Sequence, residues 1–268
     1  MRSEAINLTV DPLEARFGVV SKQLANCAEH GDYAAIISKH REAASGCPAC
    51  AEIRQRAQDL EDQSALMAKI AAERLQNKLG SALIPRRFAD KNFAQYVAKT
   101  PAQQKALTTC REYAESFLDH FEAGRCLLLL GKPGTGKTHL AAAIAWQVMT
   151  QSSATAVYRT VGGILQYIKG SYDSRAEYSE AEAFASLVKP SLLVIDEVGA
   201  TKPTEFEQAT LFAIINGRYE EQRPTIVVSN LMPAELPPVL GERSVDRLRE
   251  GGGIALVFDW QSARRAAL

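Results

Sequence analysis

The stretch from Cys126 through Leu130, Gly131, Lys132, Pro133, Gly134, Thr135, Gly136, Lys137, Thr138 and His139 constrains this chain more than any other. An apolar run, Cys126 to Leu130, reads as a buried strand that ends in a glycine loop. Leu140, Ile144 and Val148 then repeat every fourth residue, the spacing of a buried helix face. Strand, glycine loop, Lys-Thr and helix is the context that a phosphate-binding P-loop requires. Glycines let the backbone curl until its N–H groups point at phosphate oxygens, and the helix N-terminus adds partial positive charge. Lys137 is placed to neutralise β and γ phosphates, and the Thr138 hydroxyl to ligate Mg²⁺. The expected ligand is ATP with Mg²⁺, and the fold class is α/β with a parallel sheet flanked by helices.

Two later strands carry polar residues at their carboxyl ends, where ligands bind in parallel α/β sheets. Leu192 to Ile195 is an apolar run followed by Asp196 and Glu197. Asp196 is placed to hold the Mg²⁺ shell through water, and Glu197 to orient or deprotonate an attacking water. Residues 224–230 read as a second buried strand, ending in Asn230, which could hydrogen-bond the γ-phosphate or that water. Between these, residues 103–121 read as one helix, 154–159 as a strand, 161–169 as a short helix and 206–219 as a helix. A polar, acidic stretch occupies 171–182. Arg243, Arg247 and Arg249 at helical spacing are either a solvated face or a source of a guanidinium for a neighbouring subunit's γ-phosphate. Residues 254–258 form a last strand, and the chain runs ten residues beyond it, so a helical lid domain is not expected.

The N-terminal part has a different character. Cys27-x-x-His30 and Cys47-Pro-Ala-Cys50 are two ligand pairs, each with the spacing that turns both members onto one metal ion. Together they complete a tetrahedral N/S set for structural Zn²⁺; unligated cysteines beside an incidental histidine are the alternative, and His40 is a competing ligand. So few large apolar residues lie nearby (Tyr33, Ile36, Ile37) that a unit of this size needs a staple. Residues 51–79 contain no Gly or Pro and carry a narrow apolar stripe through Ile53, Leu60, Met67 and Ile70. They read as a long helix, either a solvated connector or a docking element. The expected division is a zinc module at 1–50, a linker helix at 51–80 and an ATPase domain at 81–268. The formal net charge is zero, which gives no general argument for a nucleic-acid partner. The start lacks the apolar core of a signal peptide and no apolar run is long enough to span a bilayer, so a cytoplasmic protein with reduced cysteines is expected.

This ordered set resembles the AAA+ ATPases, and more closely the DnaC-type bacterial replicative helicase loaders with their DnaI and IstB-like relatives. The matching segments are GKPGTGKTHLAAAI (131–144), LLVIDEVG (192–199), TIVVSN (225–230), LGERSVDRLR (240–249) and VFDW (257–260), within a resemblance covering about 84–262. The Cys/His set is similar to the zinc-binding, helicase-docking domain of DnaI-type loaders and phage-borne DnaC-like proteins. The resemblance implies Lys137 and Thr138 on phosphate and Mg²⁺, Asp196 and Glu197 as Walker B, and Asn230 as sensor 1. Arg247 is implied as the in-trans arginine finger with Arg243 as its rival. It also implies single-stranded DNA contacts at Lys169, Tyr172, Thr204 and Phe206, although core packing of Phe206 is equally open. Partners would be a DnaB-type replicative helicase, gripped by the N-terminal module, single-stranded DNA and further copies of the chain. Three rivals stand beside a helicase loader: an IstB-like transposition helper acting on duplex DNA, a P-loop small-molecule kinase, and a zinc adaptor with a degenerate ATPase domain.

Overall fold

In the computed structural model, which describes residues 6–262, the chain divides into one unit extending to Glu73 and a second from Arg74 onward. The first unit opens on a one-turn helix, α1 (Pro12–Arg16), started by Pro12 and by a reciprocal Asp11–Glu14 capping box. A hairpin follows, β1 (Val19–Cys27) paired antiparallel with β2 (Gly31–Ser38), with Cys27 opposite Gly31 at the turn. The sequence reading contained no strands here. The strands alternate weakly, because both faces mix polar and apolar side chains and little of either is covered. Ala35 and Cys47 are the buried apolar residues of this unit among those described. Such a core is too small to hold the hairpin alone.

A 34-residue helix, α2 (Pro48–Ser81), follows with no interruption. It starts three residues before the expected position because Pro48 suits the first helical turn. None of its described residues is buried, and Ile53, Leu60 and Met67 lie exposed along it.

The second unit holds a five-stranded, all-parallel sheet in the order β4-β5-β6-β3-β7. Before the sheet come α3 (Pro101–Glu115) and α4 (Phe117–Glu122). One helix was expected here; the backbone leaves helical geometry at Ser116 (φ −99°, ψ 27°). The break lets His120 stack on the buried Tyr113 ring at 4.3 Å while Tyr113 donates its hydroxyl to the Arg125 carbonyl at 2.7 Å. The chain continues through β3 (Leu127–Gly131), α5 (Lys137–Gln151), β4 (Ala156–Thr160), α6 (Val161–Gly170), α7 (Glu180–Val188) and β5 (Leu192–Val198). It then runs through α8 (Glu205–Glu220), β6 (Thr225–Ser229), α9 (Leu236–Leu240), α10 (Glu242–Arg249) and β7 (Ile254–Phe258). Helix α7, absent from the sequence reading, is capped by Ser179 and Glu182 and buries Ala183 and Leu187.

Strand residues point to opposite faces in turn, so an unbroken apolar strand is one covered on both sides. Leu127 and Leu129 pack with α3 and α5, whereas Leu128 and Leu130 pack with α6, α7, α8 and α10. One buried cation crosses between layers. Arg218 on α8 is fully buried and donates to the carbonyls of Leu187, Val188, Pro190, Ser191 and Pro224 and to the Thr225 hydroxyl. Burial lowers its pKa to about 9, so it stays protonated at neutral pH. It ties the end of α7 and the entry to β5 to the start of β6. Arg218→Met is therefore expected to strand buried carbonyls and cost about 3–5 kcal/mol, lowering the unfolding midpoint by roughly 6–20 °C. Thermal unfolding of the variant, with Arg249→Met as the exposed control, checks this.

Candidate functional site

All five strands point their carboxyl ends to one edge, and the glycine loop leaves β3 there. Gly131 adopts φ +115° and lies so close to β7 that a Cβ on it would fall on the Phe258 carbonyl. Lys132 is drawn the same way: its N–H donates to the Phe258 carbonyl at 2.8 Å and its Nζ to the Asp259 carbonyl at 2.6 Å. Pro133 lies exposed at the crest of the loop. Gly134 (φ +76°) and Gly136 (φ +97°) take left-handed turns that aim the loop into α5. Thr135 is buried, and its carbonyl accepts from the Tyr96 hydroxyl at 3.1 Å and from Trp260 Nε1 at 3.2 Å. His139 sits edge-on to Tyr96 and donates from Nε2 to the Asn92 carbonyl at 2.9 Å. The loop is thus clamped from behind by aromatic side chains.

Three strands meet at its open side. Lys137 donates from Nζ to the Gly131 carbonyl at 2.6 Å, the Lys132 carbonyl at 2.7 Å and Asn230 Oδ1 at 3.0 Å. Thr138 donates from its hydroxyl to Asp196 Oδ2 at 3.0 Å. The structure therefore brings Lys137, Thr138, Asp196 and Asn230 into one hydrogen-bonded group from β3, β5 and β6. Asp196 is buried, and Glu197 beside it is exposed. The reason is a bulge: Ile195 pairs with Val227 but Val198 with Ser229, one residue more on β5 than on β6. Glu197 takes φ +62° there, a strained conformation for a side-chain residue, and its N–H donates to Asp196 Oδ1 at 2.7 Å. The bulge turns one carboxylate inward and the next outward.

The other expected residues lie apart. Arg243 on α10 is exposed. Arg247, one turn on, is half-buried, its guanidinium stacked over Phe212 at 4.9 Å and Tyr219 at 5.5 Å. Among the four positions implied for DNA, Lys169 lies 5.2 Å above the half-buried Phe206 ring, and Tyr172 is exposed with its hydroxyl on Glu180 at 2.8 Å. The Thr204 hydroxyl accepts from the Glu207 N–H and caps α8. Sequence reasoning missed Tyr96, Asn92, Trp260 and Tyr158 as loop and site neighbours. Trp260 had a signal, its place just after the last strand; the others lie in no spacing pattern.

In the N-terminal unit, Cys27, His30, Cys47 and Cys50 bring one ligand atom each within 4.8 Å of one another. Cys27 Sγ lies 3.5 Å from Cys50 Sγ and 3.6 Å from His30 Nδ1, with Cys50 Sγ 3.3 Å from the same nitrogen. Zn–S bonds of about 2.3 Å in a tetrahedron give ligand–ligand edges of about 3.8 Å, so these residues fit a zinc ion with little adjustment. His30 and nearby backbone N–H groups draw the Cys27 thiol down to about 6, and that neighbour pushes the Cys50 thiol up to about 11. His40 is not in the cluster.

A family model for IstB-like ATP binding proteins matches residues 60–247. The chain is 30% identical over 194 residues to the replicative helicase loader DnaC of Buchnera aphidicola subsp. Schizaphis graminum, covering 72% of this chain and 77% of that one. It is 32% identical over 173 residues to the replicative helicase loader DnaC of Escherichia coli K12, covering 65% and 69% respectively. Among solved structures it is similar to a DnaC helicase loader (TM-score 0.59, 24% identity, 65% of this chain and all of that one). It is also similar to DnaI (TM-score 0.53, 20% identity, 67% and 94%). These structural likenesses bear out the parallel-sheet P-loop fold.

Gly131→Ala should press a methyl group into the β7 backbone and destabilise the unit by more than about 1 kcal/mol. Differential scanning calorimetry checks this; an unchanged midpoint would show that the β3–β7 approach is looser than described.

Proposed function

The chain belongs to the DnaC/IstB-like family of AAA+ ATP-binding proteins, and from that premise we propose that it is an ATP-controlled loader of a DnaB-type replicative helicase onto single-stranded DNA. The observation that carries the reading is the group of Lys137, Thr138, Asp196 and Asn230, joined by hydrogen bonds at one sheet edge, with Glu197 turned out beside it. Entering phosphates would replace the loop carbonyls and Asn230 as the partners of Lys137. The loop N–H groups and the start of α5 would take the remaining phosphate charge. A magnesium ion beside Thr138 and Asp196 would supply further charge neutralisation on the phosphates. Glu197 is the general base for water, since it alone of the pair is open to solvent. Asn230 orients that water or the γ-phosphate.

An arginine acting in trans must reach a neighbouring subunit. Arg243 is exposed, whereas Arg247 is stacked on its own domain. We therefore assign the trans role to Arg243 ahead of Arg247, the reverse of the order the sequence implied. Exposed Lys169 and Tyr172 remain the proposed single-stranded DNA contacts, a cation for phosphate and a ring for a base. Phe206 would support Lys169 from below, and Thr204 would hold α8. The Cys27–His30–Cys47–Cys50 set would hold structural zinc and, with α2, present the grip on the helicase. Relatives that carry the loader name at 30–32% identity favour this reading over a transposition helper on duplex DNA. No helix among the described residues is long and apolar enough to cross a membrane.

Glu197→Gln should retain ATP binding while slowing phosphate release by about 10²–10⁴-fold, the range of a lost general base; nucleotide titration and phosphate assay read the two separately. Wild-type protein should bind about one zinc per chain and co-elute with the replicative helicase of its own cell in size-exclusion chromatography with ATP. Cys50→Ser should lose the metal and the co-elution together. Zinc-loaded wild-type protein that does not co-elute would overturn the loader reading.

A further inference from the structure

Tyr158 is the one aromatic residue of β4, and it is buried (1% exposed) against the strand that carries Asp196. Its hydroxyl donates to Asp196 Oδ2, the same oxygen that accepts from Thr138. The Glu197 N–H takes the other oxygen. A phenol on Oδ2 restricts the carboxylate to the rotamer in which that oxygen faces Thr138.

The backbone of the same residue is held from the opposite side. β4 is an edge strand, so one row of its N–H groups has no partner strand. The Tyr158 N–H donates to the Ala82 carbonyl at 2.7 Å, and Ala82 is fully buried just after the end of α2. Lys78, in the last turn of α2, donates to the Ser152 carbonyl at 3.1 Å and fixes that end again. One residue thus joins the foot of α2 through its main chain to Asp196 through its side chain.

We propose that Tyr158 is a positioning residue for the Mg²⁺ side of the nucleotide site, orienting Asp196 toward Thr138 and fastening that carboxylate to the end of α2. The inference rests on the Mg²⁺–ATP reading of the site. Outer-shell donors to ligating groups typically set metal affinity, so the loss should appear in Mg²⁺ dependence rather than in the grip on nucleotide.

The test is titration of the full-length protein with a fluorescent ADP analogue, in EDTA and over a Mg²⁺ series, for wild type and Tyr158→Phe. The phenylalanine keeps the buried ring and removes the donor. The expected result is a rise of about 10-fold in half-saturating Mg²⁺, at the low end of outer-shell effects, with affinity in EDTA unchanged within about twofold. If Tyr158→Phe does not fold, Tyr158→Met fills the space flexibly without a donor and gives the same reading. An unchanged Mg²⁺ requirement would overturn the inference and leave the nucleotide site standing. Equal losses in EDTA and Mg²⁺ would overturn it too, by showing a packing role only. Wild-type protein whose nucleotide affinity does not respond to Mg²⁺ would overturn both the inference and the reading it rests on.

Discussion

The hydrogen bond from Thr138 to Asp196 joins parts of the chain that are far apart in sequence, and the site depends on it. It exists because every strand of the sheet runs the same way, which delivers the glycine loop, the acidic pair and Asn230 to one edge. Parallel pairing in turn demands helices on both faces, and the unbroken apolar strands are what those helices cover. The bulge at Asp196–Glu197 adds the last requirement, a buried carboxylate beside an exposed one. The Glu197 φ of +62° is strain stored where two neighbouring acids need different surroundings.

Much of this was legible in the sequence because its signals are local. β3, β5, β6 and β7 are short apolar runs bounded by glycine or polar residues; β3, β6 and β7 lie within one residue of their expected bounds, whereas β5 runs three residues past the apolar run, through the bulge to Val198. The Cys/His cluster was legible because two-residue gaps limit how ligand pairs can turn, and the structure brings the two pairs together. What escaped has no local signature. The hairpin of β1 and β2 has neither a covered face nor the alternation that one imposes. Arg218 reads as a surface helix residue, since its acceptors are main-chain carbonyls as far as 31 positions away. Tyr158 reads as ordinary strand filling, because Asp196 lies 38 positions on. The break at Ser116 accompanies ring stacking between Tyr113 and His120, which no periodicity encodes.

The two units rest on different grounds. The family model begins at residue 60 and therefore speaks for the nucleotide-binding unit and not for the Cys/His cluster. The cluster stands on its own geometry, on ligand atoms within 4.8 Å and on a hairpin whose apolar core is too small to be self-sufficient. α2 runs out of the first unit and into the second, and its last residues are anchored to α5–β4 through Lys78 and Ala82.

Helicase loading itself is the most direct measure of the account. A closed circle of single-stranded DNA admits a ring helicase only if the ring is opened, so helicase retained on such circles after a high-salt wash reports the act of loading. The account predicts retention that requires this protein, zinc and ATP together, and that disappears with Lys137→Ala. Equal retention without the protein, or full retention with Lys137→Ala, would contradict it.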